Sequence, residues 1–176
     1  ILVSRSFGKA VTDVAGIVEA VSEFASRAAE SLRLQDGAAG AVNVFFTTSP
    51  FRQNDRQHSP SVTVPLMRPT SDSRHLVGAA VAAVHRLFRP GFNYVKAGVM
   101  LVDLQPAGQR QGELDLFSAV SDAAGEKPER DRSALMATMD ELNRRFGRSS
   151  VHIGSASTTA HDTDERSWAT RQERRS

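Results

Sequence analysis

The chain is 176 residues long and carries 22 Lys and Arg against 20 Asp and Glu, a formal net charge of +2. It contains no cysteine, which excludes disulfides, thiolate metal sites and cysteine nucleophiles and fits a reducing compartment. No apolar run is long enough to cross a bilayer, and no secretory signal pattern opens the chain. This length holds one domain of ordinary size and a smaller appendage. The first residue, Ile1, already belongs to a strand-like stretch, as expected for a piece of a longer protein. The cationic surplus lies early: residues 1–104 hold 11 Lys and Arg against 8 Asp and Glu, whereas residues 118–176 hold 10 of each. Such a mild excess permits a polyanionic partner and equally fits an ordinary solvated surface.

In chain order, ILVSRSFG reads as a strand closed by Gly8. Thr12 or Asp13 caps a helix over VAGIVEAVSEFASRAAESLRLQ, in which Ile17, Val21, Phe24, Ala28 and Leu32 return at helical spacing. Asp36-Gly37 is expected to stop it, with the glycine in the left-handed conformation. AGAVNVFFTT is a strand by its β-branched and aromatic content, SPFRQNDRQHSP a polar loop, and SVTVPL a further strand. The turn RPTSDS leads to a helix over SRHLVGAAVAAVHRLF, which Pro90-Gly91 terminates. FNYVKAGVMLVDL is the last strand. The order β-α-β-β-α-β predicts an α+β, ferredoxin-like domain over residues 1–104: a four-stranded antiparallel sheet with both helices on one face.

Residues 105–131 read as a linker carrying a short apolar motif, GELDLF. Residues 132–176 form a small, mostly helical module. In it RSALMATMDELNRRFG places Leu135, Met139, Leu142 and Phe146 on one face, VHIGSA suggests a short strand, and Trp168 is the only apolar anchor of a charged tail expected to be poorly ordered. The five histidines lack metal-ligand spacing, and Asp103 and Asp115 read as solvated surface.

Alternation along the strands leaves one side of the sheet bare. Val42, Val44, Phe46, Val62, Val64, Ala97, Val99 and Leu101 are expected under the helices. Asn43, Phe45, Thr47, Ser61, Thr63, Tyr94, Lys96 and Gly98 are expected on the open side. The first strand is ambiguous, since SRS turns either two serines or an arginine outward. In a ferredoxin-like sheet the first and third strands are central, which predicts a centre lined by hydroxyls with cations toward the edges. Short hydroxyl side chains and main-chain N–H groups suit phosphate oxygens, while Arg5, Lys9, Arg52, Arg56 and Lys96 supply salt-sensitive attraction. Hydroxyls that merely keep a solvated sheet soluble are the plain alternative. An RNA-recognition module would need aromatics on its central strands and a third strand without any speaks against it. A small-ligand regulatory or protein-interaction module remains open.

In order, SRSFGKAVTD, VFFTTSPFRQNDRQHS, VPLMRPTSDSRHLV and FRPGFNYVKAGVMLVDL resemble the little-finger domain of UmuC-type Y-family translesion DNA polymerases. QGELDLF and the module RSALMATMDELNRRFGRSSVHIGSA with its tryptophan resemble the segments that follow it in that subfamily. The resemblance implies a DNA-binding part of an error-prone enzyme of the SOS response and DNA repair, in the bacterial cytoplasm and at the nucleoid. Carried onto matching positions, it implies primer-template contacts at Ser4, Arg5, Ser6, Thr47, Ser61, Thr63, Tyr94 and Lys96, to which the charge reading adds Lys9 and Arg52. It implies no catalytic residue, metal or cofactor in this chain, because the carboxylates that hold two Mg²⁺ ions in such polymerases lie in a palm domain preceding the little finger. The family pattern also runs on beyond the tryptophan, past the end of this chain.

GELDLF resembles the sliding-clamp-binding peptide of bacterial polymerases. Leu114, Asp115, Leu116 and Phe117 fit that pattern; Glu113 stands where glutamine is usual, and Gln111 supplies the amide in a longer register. A strand or helix edge tucked against the domain is the alternative. A UmuD-like dimer and a recombinase filament are further partners that the resemblance implies.

Overall fold

The computed structural model describes residues 1–52, 54–107, 132–147, 150, 151, 153 and 154. The clamp-like residues Gln111, Glu113, Leu114, Leu116 and Phe117, and the tail with Trp168, lie outside them. So does most of the stretch read as a linker, and His152, Ser155 and Ala156 of the VHIGSA segment.

The element order is β1 (Leu2–Val11), α1 (Val14–Arg33), β2 (Gly37–Thr48), β3 (Ser61–Thr70), α2 (Ser73–Leu87), β4 (Tyr94–Pro106) and α3 (Ser133–Phe146). Asp13 caps α1, its carboxylate accepting from the Gly16 N–H at 2.7 Å, and Asp72 caps α2 by accepting from the Arg74 N–H at 2.8 Å. Such caps satisfy N–H groups that the first helical turn leaves unpaired. At the end of α1 the left-handed residue is Asp36 (φ 48°), not Gly37. Gly37 instead sits close against Leu32, whose Cδ1 would stand 2.7 Å from a Cβ there and would have to shift for any larger residue. β3 also runs four residues beyond the expected strand, to Thr70.

All strand pairs are antiparallel, as expected, and α1 and α2 pack on one face. The core between them joins Ile17, Val21, Phe24, Ala28 and Leu32 of α1 and Leu76, Ala80 and Val84 of α2 to Val42, Val44, Phe46, Ala97, Val99 and Leu101 of the sheet. Each fully buried aliphatic side chain of this kind contributes about 1.5–3 kcal/mol relative to exposure.

The strand order corrects one expectation. It is β1-β4-β2-β3, so β4 and β2 are central and β1 and β3 are the edges. Insertion of β4 between β1 and β2 keeps every neighbour antiparallel, and hydrophobic alternation is blind to which strand fills that slot.

Candidate nucleic-acid interface

Paired residues across an antiparallel ladder share a face, so the registers sort the side chains. Arg5 pairs with the buried Ala97 and Val3 with the buried Val99, whereas Ser4 pairs with Gly98 and Ser6 with Lys96. The ambiguity of SRS is thereby resolved: the serines face outward and Arg5 turns to the helix side. There burial holds the Arg5 guanidinium below its ordinary pKa, the nearby Arg27 adds to that lowering, and Glu23 partly opposes it. Arg27 and Glu23 form an ion pair of their own at 2.7 Å on α1.

Tyr94 is the second correction. Between Thr47 and Thr48 β2 advances one residue while β4 advances two, from Lys96 back to Tyr94. The extra residue is Val95, a β-bulge that reverses the facing of everything beyond it. Tyr94 therefore points under the sheet, fully buried, with its ring edge-on to Phe46 at 4.9 Å between centroids. Its hydroxyl is a hub, lying 2.7 Å from His58 Nδ1, 3.2 Å from the Arg89 carbonyl and 3.4 Å from the Arg89 N–H. The inventory closes when neutral His58 donates from Nδ1 and Tyr94 donates onward to the Arg89 carbonyl. Burial raises the Tyr94 pKa, against the Arg89 backbone bond and charge. Burial and the Arg89 charge both lower that of His58.

The open face is thus arranged in reverse of the expectation. Its edges carry the hydroxyls, Ser4 and Ser6 on β1 and Ser61 and Thr63 on β3. Its centre carries Lys96, Gly98 and Met100 of β4 beside Asn43, Phe45 and Thr47 of β2. Asn43 Nδ2 donates to Ser61 Oγ at 3.1 Å and Thr63 Oγ1 at 3.0 Å, fixing that row. The Phe45 ring reaches over Gly98, which leaves room for it: a Cβ there would meet Phe45 Cζ at 2.4 Å and Ser4 Cβ at 2.7 Å. A glycine in a central strand that makes way for a cross-strand ring keeps this face low. Asn43, Phe45 and Met100 were absent from the contacts inferred from sequence. The outward facing of Asn43 and Phe45 was legible in the alternation of β2; their central place was not.

Lys9 is exposed on the part of β1 between Ser6 and Val11 that bulges from β4. Arg52 stands on the β2–β3 loop, 3.7 Å from Asp55. Asp103 is exposed, as expected. Among the described residues no group of three or more His, Asp or Glu stands close enough to hold a metal ion, and no helix is long and apolar enough to cross a membrane.

Residues 1–114 match the impB/mucB/samB family C-terminal domain. The chain belongs to the impB/mucB/samB family. The resemblance to UmuC-like Y-family polymerases read from its residues is borne out. Protein MucB of Salmonella typhimurium is 41% identical over 145 residues, 82% of this chain and 32% of MucB. Protein ImpB of Salmonella typhimurium is 39% identical over 144 residues, 82% of this chain and 32% of ImpB. Protein UmuC of Salmonella typhimurium strain LT2 is 38% identical over 153 residues, 87% of this chain and 34% of UmuC. The chain therefore spans about a third of the length of these relatives. Residues 133–176 match a domain of unknown function, DUF4113, to which α3 belongs.

Proposed function

We propose that the bare face of the family domain grips primer-template DNA for error-prone translesion synthesis, with nucleotidyl transfer performed by carboxylates outside residues 1–176. The observation that carries this reading is the spacing of the hydroxyl rows. Neighbouring strands lie about 4.8 Å apart, so the edge rows of a four-stranded sheet are about 14 Å apart. The B-DNA major groove is about 12 Å wide. Ser4 and Ser6 on one edge, and Ser61 and Thr63 on the other, match phosphates on the two sides of that groove. Lys96 stands between them with the low surface of Phe45 and Gly98 over the groove. Hydroxyl contacts to phosphate position a duplex without reading its sequence, as a polymerase working across lesions requires.

Binding to primer-template DNA is expected to weaken as salt rises, by about 0.9 in log affinity per log salt for each neutralised phosphate. Lys96→Ala should lower that slope by about one, whereas Arg5→Ala, on the covered side, should leave it unchanged. Salt-independent binding, or equal slope changes for both variants, would sink the reading. Docking of Leu114, Leu116 and Phe117 on the sliding clamp, and association with a UmuD-like dimer and a recombinase filament, belong to the same proposal. In a clamp pull-down the double variant Leu116→Ala, Phe117→Ala should lose the clamp and keep DNA; loss of both would make the peptide part of the fold.

A further inference from the structure

The loop from Ser49 to Pro60, between β2 and β3, holds out the most exposed aromatic ring among the described residues, Phe51, at 91%. Its described residues are braced by several contacts. The Gln57 carboxamide donates to the carbonyls of Ser49, Arg52 and Asp55 at 3.0, 3.2 and 3.0 Å, and its Oε1 accepts from Thr48 Oγ1 at 2.8 Å. Asn93 Nδ2 ties Asp55 at 3.1 Å, the Arg56 guanidinium lies 4.8 Å over the Phe92 ring, and His58 bonds Tyr94. These hydrogen bonds and the cation–π contact brace the base of a loop that keeps the Phe51 ring in water, where folding gains nothing from it. A ring held out on a braced surface loop beside a cation is accessible to a ligand with a flat face. Its neighbour Arg52 is more than half exposed. The loop leaves the sheet after Thr48, one residue past the outward-facing Thr47, at the end of the bare face that carries Lys96 and Ser61.

We infer that Phe51 stacks on an unpaired base of single-stranded DNA continuing from the duplex held on the bare face, with Arg52 on the adjoining phosphate. This rests on the DNA-gripping reading above and adds the position of the single strand. An aromatic face beside a cation is the usual platform for unpaired bases, and it is indifferent to sequence because every base has a π-face. Insertion into a duplex would require paired bases to be unstacked first, a cost that an overhang does not carry. A protein partner would call for a contiguous apolar patch, whereas Phe51 is flanked by Pro50 and Arg52.

The test titrates the full chain with a blunt duplex and with the same duplex bearing a single-stranded overhang of about eight nucleotides, within the span of known single-strand sites. The overhang carries 2-aminopurine beside the junction. The wild-type chain should bind the overhang substrate more tightly and change its fluorescence. Phe51→Ala should lose about fivefold in affinity for that substrate, the low end of a base–aromatic stack, with blunt-duplex binding intact as proof of folding. Phe51→Tyr, which keeps the ring, should retain the preference, and Phe51→Leu, which keeps only the apolar bulk, should lose it. Unchanged overhang binding by Phe51→Ala, an equal loss on both substrates, or full activity of Phe51→Leu each overturns the inference alone. Failure of the wild-type chain to bind either DNA overturns the parent reading with it.

Discussion

Phe45 and Phe46 are consecutive aromatics on one central strand, and they have opposite fates. Phe46 is fully buried against Tyr94 beneath α1 and α2; Phe45 lies half-buried on the bare side, across Gly98. One side of the sheet is packed like a protein interior, where every methylene is felt. The other carries hydroxyls, one amide, one cation, the Phe45 ring and Met100. The same chain segment thus divides the core from the bare face residue by residue, and substitutions on the two sides should separate along that line.

The sharpest break is in the pair itself. Phe46→Ala should cost about 3–5 kcal/mol of unfolding free energy in a denaturant titration, as expected for an aromatic removed from a core. Phe45→Ala should cost about 1 kcal/mol or less, in keeping with partial burial, and should change DNA affinity instead. Equal stability losses would mean that the bare side is covered in solution.

Next in size is the contact that fastens α3 to the covered side. Arg33 of α1 donates from Nε and Nη2 to both Asp140 carboxylate oxygens at 2.6 Å, and from Nη1 to the Ser71 carbonyl at 2.7 Å and Ser73 Oγ at 2.9 Å. Arg132 adds a longer pair with Asp72 at 3.5 Å. Arg33→Ala leaves a half-buried carboxylate and a carbonyl without their donor, at a cost of about 2 kcal/mol. Hydrogen exchange should show α3 amides losing protection while β4 keeps its own. Uniform loss across the sheet would instead make Arg33 a core support.

Tyr94→Phe comes third. It keeps the ring against Phe46 and removes the hydroxyl shared by His58 and Arg89, so about 1 kcal/mol should be lost. DNA binding should be unchanged, because Tyr94 lies on the covered side; weakened binding with full stability would return it to the interface.

The smallest effect is a pH dependence. The folded chain holds the His58 pKa below its ordinary value of 6.5 through burial and the Arg89 charge. The unfolded chain therefore takes up the proton first as pH falls. The contribution is whole above about 6.5 and is lost as pH drops from there through the folded-state value. His58→Phe keeps a ring to stack on Phe92, 4.8 Å away, and removes the titrating group. Its unfolding midpoint should drift less than that of the wild type over that window, and an identical drift would assign the effect elsewhere.

The sequence alone determined the α+β class, the order of six elements in residues 1–104, a helix cap at Thr12 or Asp13, and the inward set Val42, Val44, Phe46, Ala97, Val99 and Leu101. Each is a local property, written in side-chain periodicity and turn chemistry within a few neighbouring residues. Family membership was legible too, in motifs running through loops as well as strands. Tertiary structure alone decided which strands are central, that Arg5 faces α1, and that the bulge at Val95 takes Tyr94 from the bare side to the core. Strand order depends on which distant segment fills the slot beside β1, and a bulge depends on the register of two partners at once. Neither is encoded in the alternation of a single strand, because that alternation is satisfied equally well whichever neighbour supplies the hydrogen bonds.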